Sequence, residues 1–244
     1  MILSHMQIEE IAAAVTKDFN EFFFGKDDDN ERLTAQATPI DQFAKDYLGL
    51  SVSFAHLSSD GSLCGLTAYT DTEYTIEEEG VKRTIPLKAN QVLLDLSFIQ
   101  PGQVHALCGK RRFTLAHECA HQILFGMESD NDKRTHESKY APRVAYSLRD
   151  LKTREDWNEW QANVLGAAIL MPQKEIDIAM RQFARGRVLK NYEGRFNYID
   201  RLSLTLLCQS LGVSKSAAII RLRQLGYIED RPFAEYDDPL EVWL

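Results

Sequence analysis

The sequence predicts an α+β protein, with a small, mostly antiparallel sheet in its first half and helices over the rest. Three observations carry that reading. Short apolar segments bounded by turn residues crowd residues 50–98 and end in the strongest strand, Gln91 to Phe98. Beyond that strand, apolar residues recur at helical spacing as far as about residue 225. The last part repeats a helix, a break at Gly212-Val213-Ser214, and a second helix.

The chain has 244 residues, 44% hydrophobic and 26% charged, which is the balance of a globular protein and excludes a disordered or fibrous one. That length suits one large domain, or one domain with a smaller appendage. No apolar run approaches a membrane span, and no basic stretch followed by an apolar one opens the chain. A cytoplasmic location without a membrane partner is therefore expected. Cys64, Cys108, Cys119 and Cys208 include no C-x-x-C pair and fit reduced thiols better than a disulfide framework. The net charge of −8 conceals an asymmetry: residues 181–225 hold nine Lys and Arg against Glu193 and Asp200. A basic segment behind an acidic body suits a nucleic acid or an acidic partner, and equally a solvated helix surface.

Taken in order, residues 7–24 read as a helix through Ile8, Ile11, Ala12, Val15 and Phe19. Asp41 to Leu48 gives a second, short helix closed by Gly49. Leu50 to Leu57 and Leu63 to Tyr69 read as successive strands across a Ser58-Ser59-Asp60-Gly61 turn. Residues 74–78 and 81–85 form a hairpin around Glu79-Gly80. Glu155 to Leu170, 173–183, 202–211 and 215–225 complete the helices, and a charged stretch over 127–158 has the character of a lid or binding loop.

The chemistry concentrates in Leu115-Ala116-His117-Glu118-Cys119-Ala120-His121. On a helix, His117 and His121 stand about 40° apart on one face, so both imidazoles can grip one zinc ion. Glu118 falls about 60° from His121, too far round for a comfortable ligand but well placed as a general base acting on water. Leu115, Ala116, Cys119, Ala120 and Ile123 make the rest of this helix apolar, so the histidines would be polar groups needing partners in a buried element. A third protein ligand is sought on the helix 155–170. Glu159, Ala162, Asn163, Gly166 and Leu170 share a stripe whose small residues admit a close partner helix. Glu159 is the candidate ligand there, with Glu155 one turn earlier as its rival, and Asn163 is placed to hydrogen-bond a ligand from outside the coordination sphere.

Three blocks in this order resemble the ImmA/IrrE family of zinc metallopeptidases: residues 111–121 around His-Glu-Cys-Ala-His, 159–172 beginning Glu-Trp-Gln-Ala-Asn, and 212–226 beginning Gly-Val-Ser-Lys. The resemblance runs from about Gln91 to Gly226 and implies a zincin-like core. His117 and His121 match the family's first two metal ligands, Glu118 its general base and Glu159 its third ligand. It also implies a zinc metallopeptidase domain over 1–180 and a C-terminal helical, helix–turn–helix-like region over 181–244. The implied substrate is a helix–turn–helix transcriptional repressor, cut in response to a stress or mobile-element signal.

In that reading a positioned donor assists at the oxyanion, and His136, Tyr140 and Tyr146 are the candidates. The strand 91–98 is expected to align an extended peptide by main-chain pairing. The alternative function is a non-catalytic, zinc-stabilised sensor or anti-repressor acting by protein or DNA binding. On the helix 215–225, Ala217, Ala218, Ile219 and Ile220 leave only Lys215, Arg221, Arg223 and Gln224 for polar contacts, so specific nucleic-acid binding is not expected.

Overall fold

The computed structural model describes residues 2–25, 32–58, 60–78, 81–128, 153–238 and 240. Seven α-helices and three small sheets among these residues make a mixed α+β fold. The chain divides into two compact units, Met1–Val15 with Pro39–Ile169, and Thr16–Thr38 with Leu170–Leu244. Helix α1 (His5–Phe24) contributes to both.

In the first unit, α2 (Ile40–Gln42) continues into a π-helical turn, Phe43–Tyr47. Strands β1 (Ser51–Ala55), β2 (Gly65–Ala68) and β5 (Gln91–Asp95) form one sheet in the order β1-β5-β2. β1 and β2 follow one another across a turn as expected, but they do not pair with each other. Both flank β5, β1 running parallel to it and β2 antiparallel. The reason lies in β5, whose Val92, Leu93, Leu94 and Asp95 are all buried, so it takes the centre of the sheet. This also corrects the expected docking of a peptide on the strand 91–98, because both edges of β5 are already paired.

The faces of this sheet follow the two-residue period of its strands. Leu66 lies opposite Leu93, and with Leu57, Leu63, Ala68 and Leu87 they form one apolar cluster. The hairpin of β3 (Thr72–Glu78) and β4 (Val81–Leu87) rests Tyr74 and Ile85 on that cluster. The Tyr74 hydroxyl anchors it further by donating to the Leu57 carbonyl at 2.8 Å. Strand β5 stops at Asp95 rather than Phe98, because the Asp95 carboxylate accepts from Ser97 N at 3.0 Å and opens a 3-10 turn over Leu96–Ile99. Its other oxygen accepts from Leu57 N at 3.2 Å.

The opposite face of the sheet meets α3 (Val104–Gly126), buried continuously from Thr114 to Ala120. Arg111 fastens α3 to α2 with two parallel bonds to Asp41, each 2.7 Å. Helix α4 (Arg154–Leu170) carries the block beginning Glu-Trp-Gln-Ala-Asn and buries Ala162, Leu165, Ala168 and Ile169.

The second unit holds α5 (Gln173–Ala184), β6 (Leu189–Tyr192), α6 (Tyr198–Leu211), α7 (Lys215–Gln224) and β7 (Ile228–Arg231). The parallel pair β6–β7 was not foreseen in the sequence, being two four-residue strands separated by two helices. Asn197 caps α6 by accepting from Asp200 N, Gly212 ends it at φ 63°, and Ser214 caps α7 by accepting from Ala217 N. Together these residues turn the chain by 103° between the two helices.

Several basic residues of 181–225 are engaged by other groups of the chain. Arg221 is 0% exposed and its Nε donates to the Met171 carbonyl at 3.1 Å. Its expected place among the polar contacts of α7 is therefore wrong: at that point of the helix it shares the inward face with Ala218 and Leu222. Arg187 bonds the buried carboxylate of Asp200 at 3.2 Å, and Arg223 bonds Asp230 at 2.8 and 3.0 Å. No single helix among the described residues is long and apolar enough to cross a membrane.

Candidate metal centre

Helix α3 presents His117 and His121 one turn apart, and α4 brings Glu159 to them. The two Nε2 atoms are 3.1 Å apart. Glu159 Oε2 lies 3.3 Å from His117 Nε2, and Oε1 lies 3.1 Å from His121 Nε2. One donor atom from each of the three residues falls within 4.8 Å of the others. Ligands about 2.0–2.1 Å from a tetrahedral zinc are separated by roughly 3.3 Å, so this triangle has the size such an ion requires. Two imidazoles and one carboxylate are also the donor set of a zinc site that keeps a coordination position open.

Close packing makes the convergence possible. A Cβ built on Gly166 of α4 would stand 3.0 Å from His117 N and 3.1 Å from the Ala116 carbonyl, so only glycine lets α4 lie this near α3. Two turns earlier on α4, Glu159 then reaches the histidines while 5% exposed. Its rival Glu155 is exposed. Asn163, one turn further, is half-buried and joins none of the bonds that link Glu159 to the pair.

The electrostatics match a carboxylate held between two imidazoles. Burial alone would raise the Glu159 pKa, but hydrogen bonds to His117 and His121 and their charge outweigh it and hold the carboxyl down at about 2. For His121 burial opposes the charged form, yet Glu159 and then Glu118 win and raise its pKa. Glu118, 5% exposed, lies against β2: a Cβ on Gly65 would be 2.6 Å from Thr114 Cγ2 and 3.0 Å from Glu118 Oε1. Cys119 is buried on the same helix, and burial, followed by Glu118, pushes its thiol up, so it stays protonated.

Strand β2 lines the same side of α3. Gly65 faces Thr114 and Glu118, Thr67 Oγ1 accepts from Gln122 Nε2 at 2.6 Å, and the Tyr69 ring stacks on Phe125 at 4.2 Å between centroids. The Ala68 carbonyl accepts from the same Gln122 Nε2 at 3.1 Å. The sequence reading passed over Tyr69. Its alternation with Gly65 and Thr67 is visible in the chain, but which helix that face meets is not. His136, Tyr140 and Tyr146 lie outside the described residues.

The comparisons agree with this geometry in kind. Residues 108–223 match the Peptidase_M78 family model, described as the IrrE N-terminal-like domain. No curated protein matches the chain.

Proposed function

We propose that this chain, which carries an IrrE N-terminal-like domain of a metallopeptidase family and so takes a protein as substrate, is a zinc-dependent endopeptidase that cleaves a helix–turn–helix transcriptional repressor and thereby relieves repression under a stress or mobile-element signal. The observation that carries the enzymatic part is the meeting of His117, His121 and Glu159 beside a buried Glu118 that is not itself part of the cluster. The repressor as substrate follows from the family resemblance.

His117, His121 and Glu159 would hold the zinc. When bound, the ion supplies Lewis acidity and lets water lose a proton at a pH of about 7. Glu118 takes a proton from the attacking water as the new C–O bond forms, and returns it to the leaving amine as the C–N bond breaks. Gly65 leaves room beside β2 for the Glu118 carboxylate, because a Cβ there would stand 3.0 Å from its Oε1. Among the described residues β2 carries a strand on one edge only, and an extended substrate segment pairs with the other.

The test is incubation of the zinc-loaded chain with the helix–turn–helix repressor encoded beside it, read as a discrete fragment. Glu118→Gln should retain zinc and repressor binding but release no fragment. Cleavage that survives this substitution would sink the mechanism.

The sensor or anti-repressor reading draws on a separate feature. Tyr198, Ile199, Leu202 and Leu206 form an apolar stripe along α6 that is 37–49% exposed, the character of a binding surface. Tight repressor binding with no fragment from the unmutated protein would favour it.

A further inference from the structure

We propose that the Tyr69 hydroxyl donates the hydrogen bond that stabilises the oxyanion formed when the scissile carbonyl is attacked, an assignment that rests on the metallopeptidase reading above. The argument begins with the alternation of β2. Gly65, Thr67 and the following Tyr69 share one face, while Leu66 and Ala68 go to the apolar cluster behind it. That face runs along α3 and meets it in sequence at Glu118, Gln122 and Phe125. These three helix residues span about 60° of the wheel, and Phe125 stands one turn beyond His121 and about 40° from it. Tyr69 therefore packs on the helix that carries the general base, at the open edge of the sheet where the substrate is expected.

Packing, not hydrogen bonding, holds the ring. It lies nearly flat on Phe125, with planes inclined by 16°. No hydrogen bond acts on the hydroxyl among the described residues. Burial, then the charges of Glu118, Glu159 and Glu128 in that order, push its pKa up. The phenol thus remains a proton donor at working pH. A neutral donor whose ring is already fixed by packing needs no reorganisation when charge develops.

In the step itself, the water oxygen bonds to the carbonyl carbon, the C=O π pair moves onto the carbonyl oxygen, and Glu118 receives the water proton. Tyr69 bonds that oxygen through its own O–H and keeps its proton throughout. When the C–N bond breaks, the pair re-forms C=O, the Glu118 proton goes to the amine nitrogen, and the Tyr69 hydroxyl is released.

Tyr69→Phe in the zinc-loaded full chain preserves the ring and its stack and removes only the oxygen. The expected result with the neighbouring repressor is a fall in kcat on the order of 100–1000-fold with KM changed by less than about threefold and zinc content unaltered. A second readout is independent of turnover: calorimetric binding of an all-alanine phosphinic tetrapeptide, a stable tetrahedral oxyanion analogue, should weaken on the order of a hundredfold. Unchanged kcat or unchanged phosphinate affinity in Tyr69→Phe, with cleavage still lost in Glu118→Gln, overturns the assignment and leaves the peptidase reading standing. Neither cleavage nor phosphinate binding by the unmutated chain overturns both.

Discussion

A Cβ on Gly166 would stand 3.0 Å from the backbone nitrogen of His117, tighter than nine in ten real Cβ contacts. The obstacle is backbone inside a buried helix, so it cannot swing aside. Gly166→Ala should force α4 away from α3, cost roughly 1–3 kcal/mol through overpacking, and weaken zinc binding by displacing Glu159. Gly126→Ala is the control, since a Cβ there meets nothing within 4 Å. Thermal unfolding and zinc titration of both variants check this; equal zinc affinity in both would show that the helix crossing does not set the site.

The two acids of α4 are separable by the same titration. Glu159 lies 3.1 and 3.3 Å from the two imidazoles, whereas Glu155 is exposed. Purified protein should carry about one zinc per chain. His121→Ala and Glu159→Ala should lose most of it, and Glu155→Ala should keep it. Full zinc in Glu159→Ala would remove the carboxylate from the coordination set.

Arg221 and Arg223 are two residues apart and should behave oppositely. Arg221 is 0% exposed, so Arg221→Glu buries an anion against the Met171 carbonyl and should cost at least about 3–5 kcal/mol, read as a large drop in unfolding midpoint. Arg223 pairs with Asp230 at the surface, and Arg223→Glu should stay within about 1 kcal/mol. The pair leaves little free positive charge on α7, so duplex DNA should bind weakly and without sequence preference by fluorescence anisotropy. Tight sequence-specific binding lost in Arg223→Glu would make this helix a DNA reader.

The Asp41–Arg111 pair predicts a pH dependence. Hydrogen bonding from Arg111 outweighs partial burial and holds the Asp41 carboxyl below its ordinary range. A depressed folded-state pKa contributes stability that is present above the unfolded value of about 3.9 and is lost as pH falls through the folded one. Asp41→Asn should therefore be less stable than the unmutated protein near neutrality, by no more than about 1 kcal/mol because the pair is partly solvated. That difference should shrink steadily below about pH 4. A gap that widens in acid, in denaturant titrations at several pH values, would contradict the pairing.

Periodicity within each element was enough to establish what depends on a single helix or strand. His117 and His121 share a face because four residues make just over one turn, and Glu118 lies beside that face for the same reason. The helices 7–24, 155–170, 173–183 and 202–211 were legible in the same way, to within a few residues of their observed ends. Which faces then meet is a property of packing. The stripe on α4 contains both Glu155 and Glu159, and only the close crossing at Gly166 selects the second. Tyr69 looks like the end of a strand until β2 is laid along α3 and its ring comes to rest on Phe125. Arg221 reads as a surface cation until its side of α7 turns inward, and β6 with β7 becomes a sheet only when two helices fold back between them. Such pairings depend on contacts between residues far apart in the chain, and a local apolar pattern carries no information about its partner.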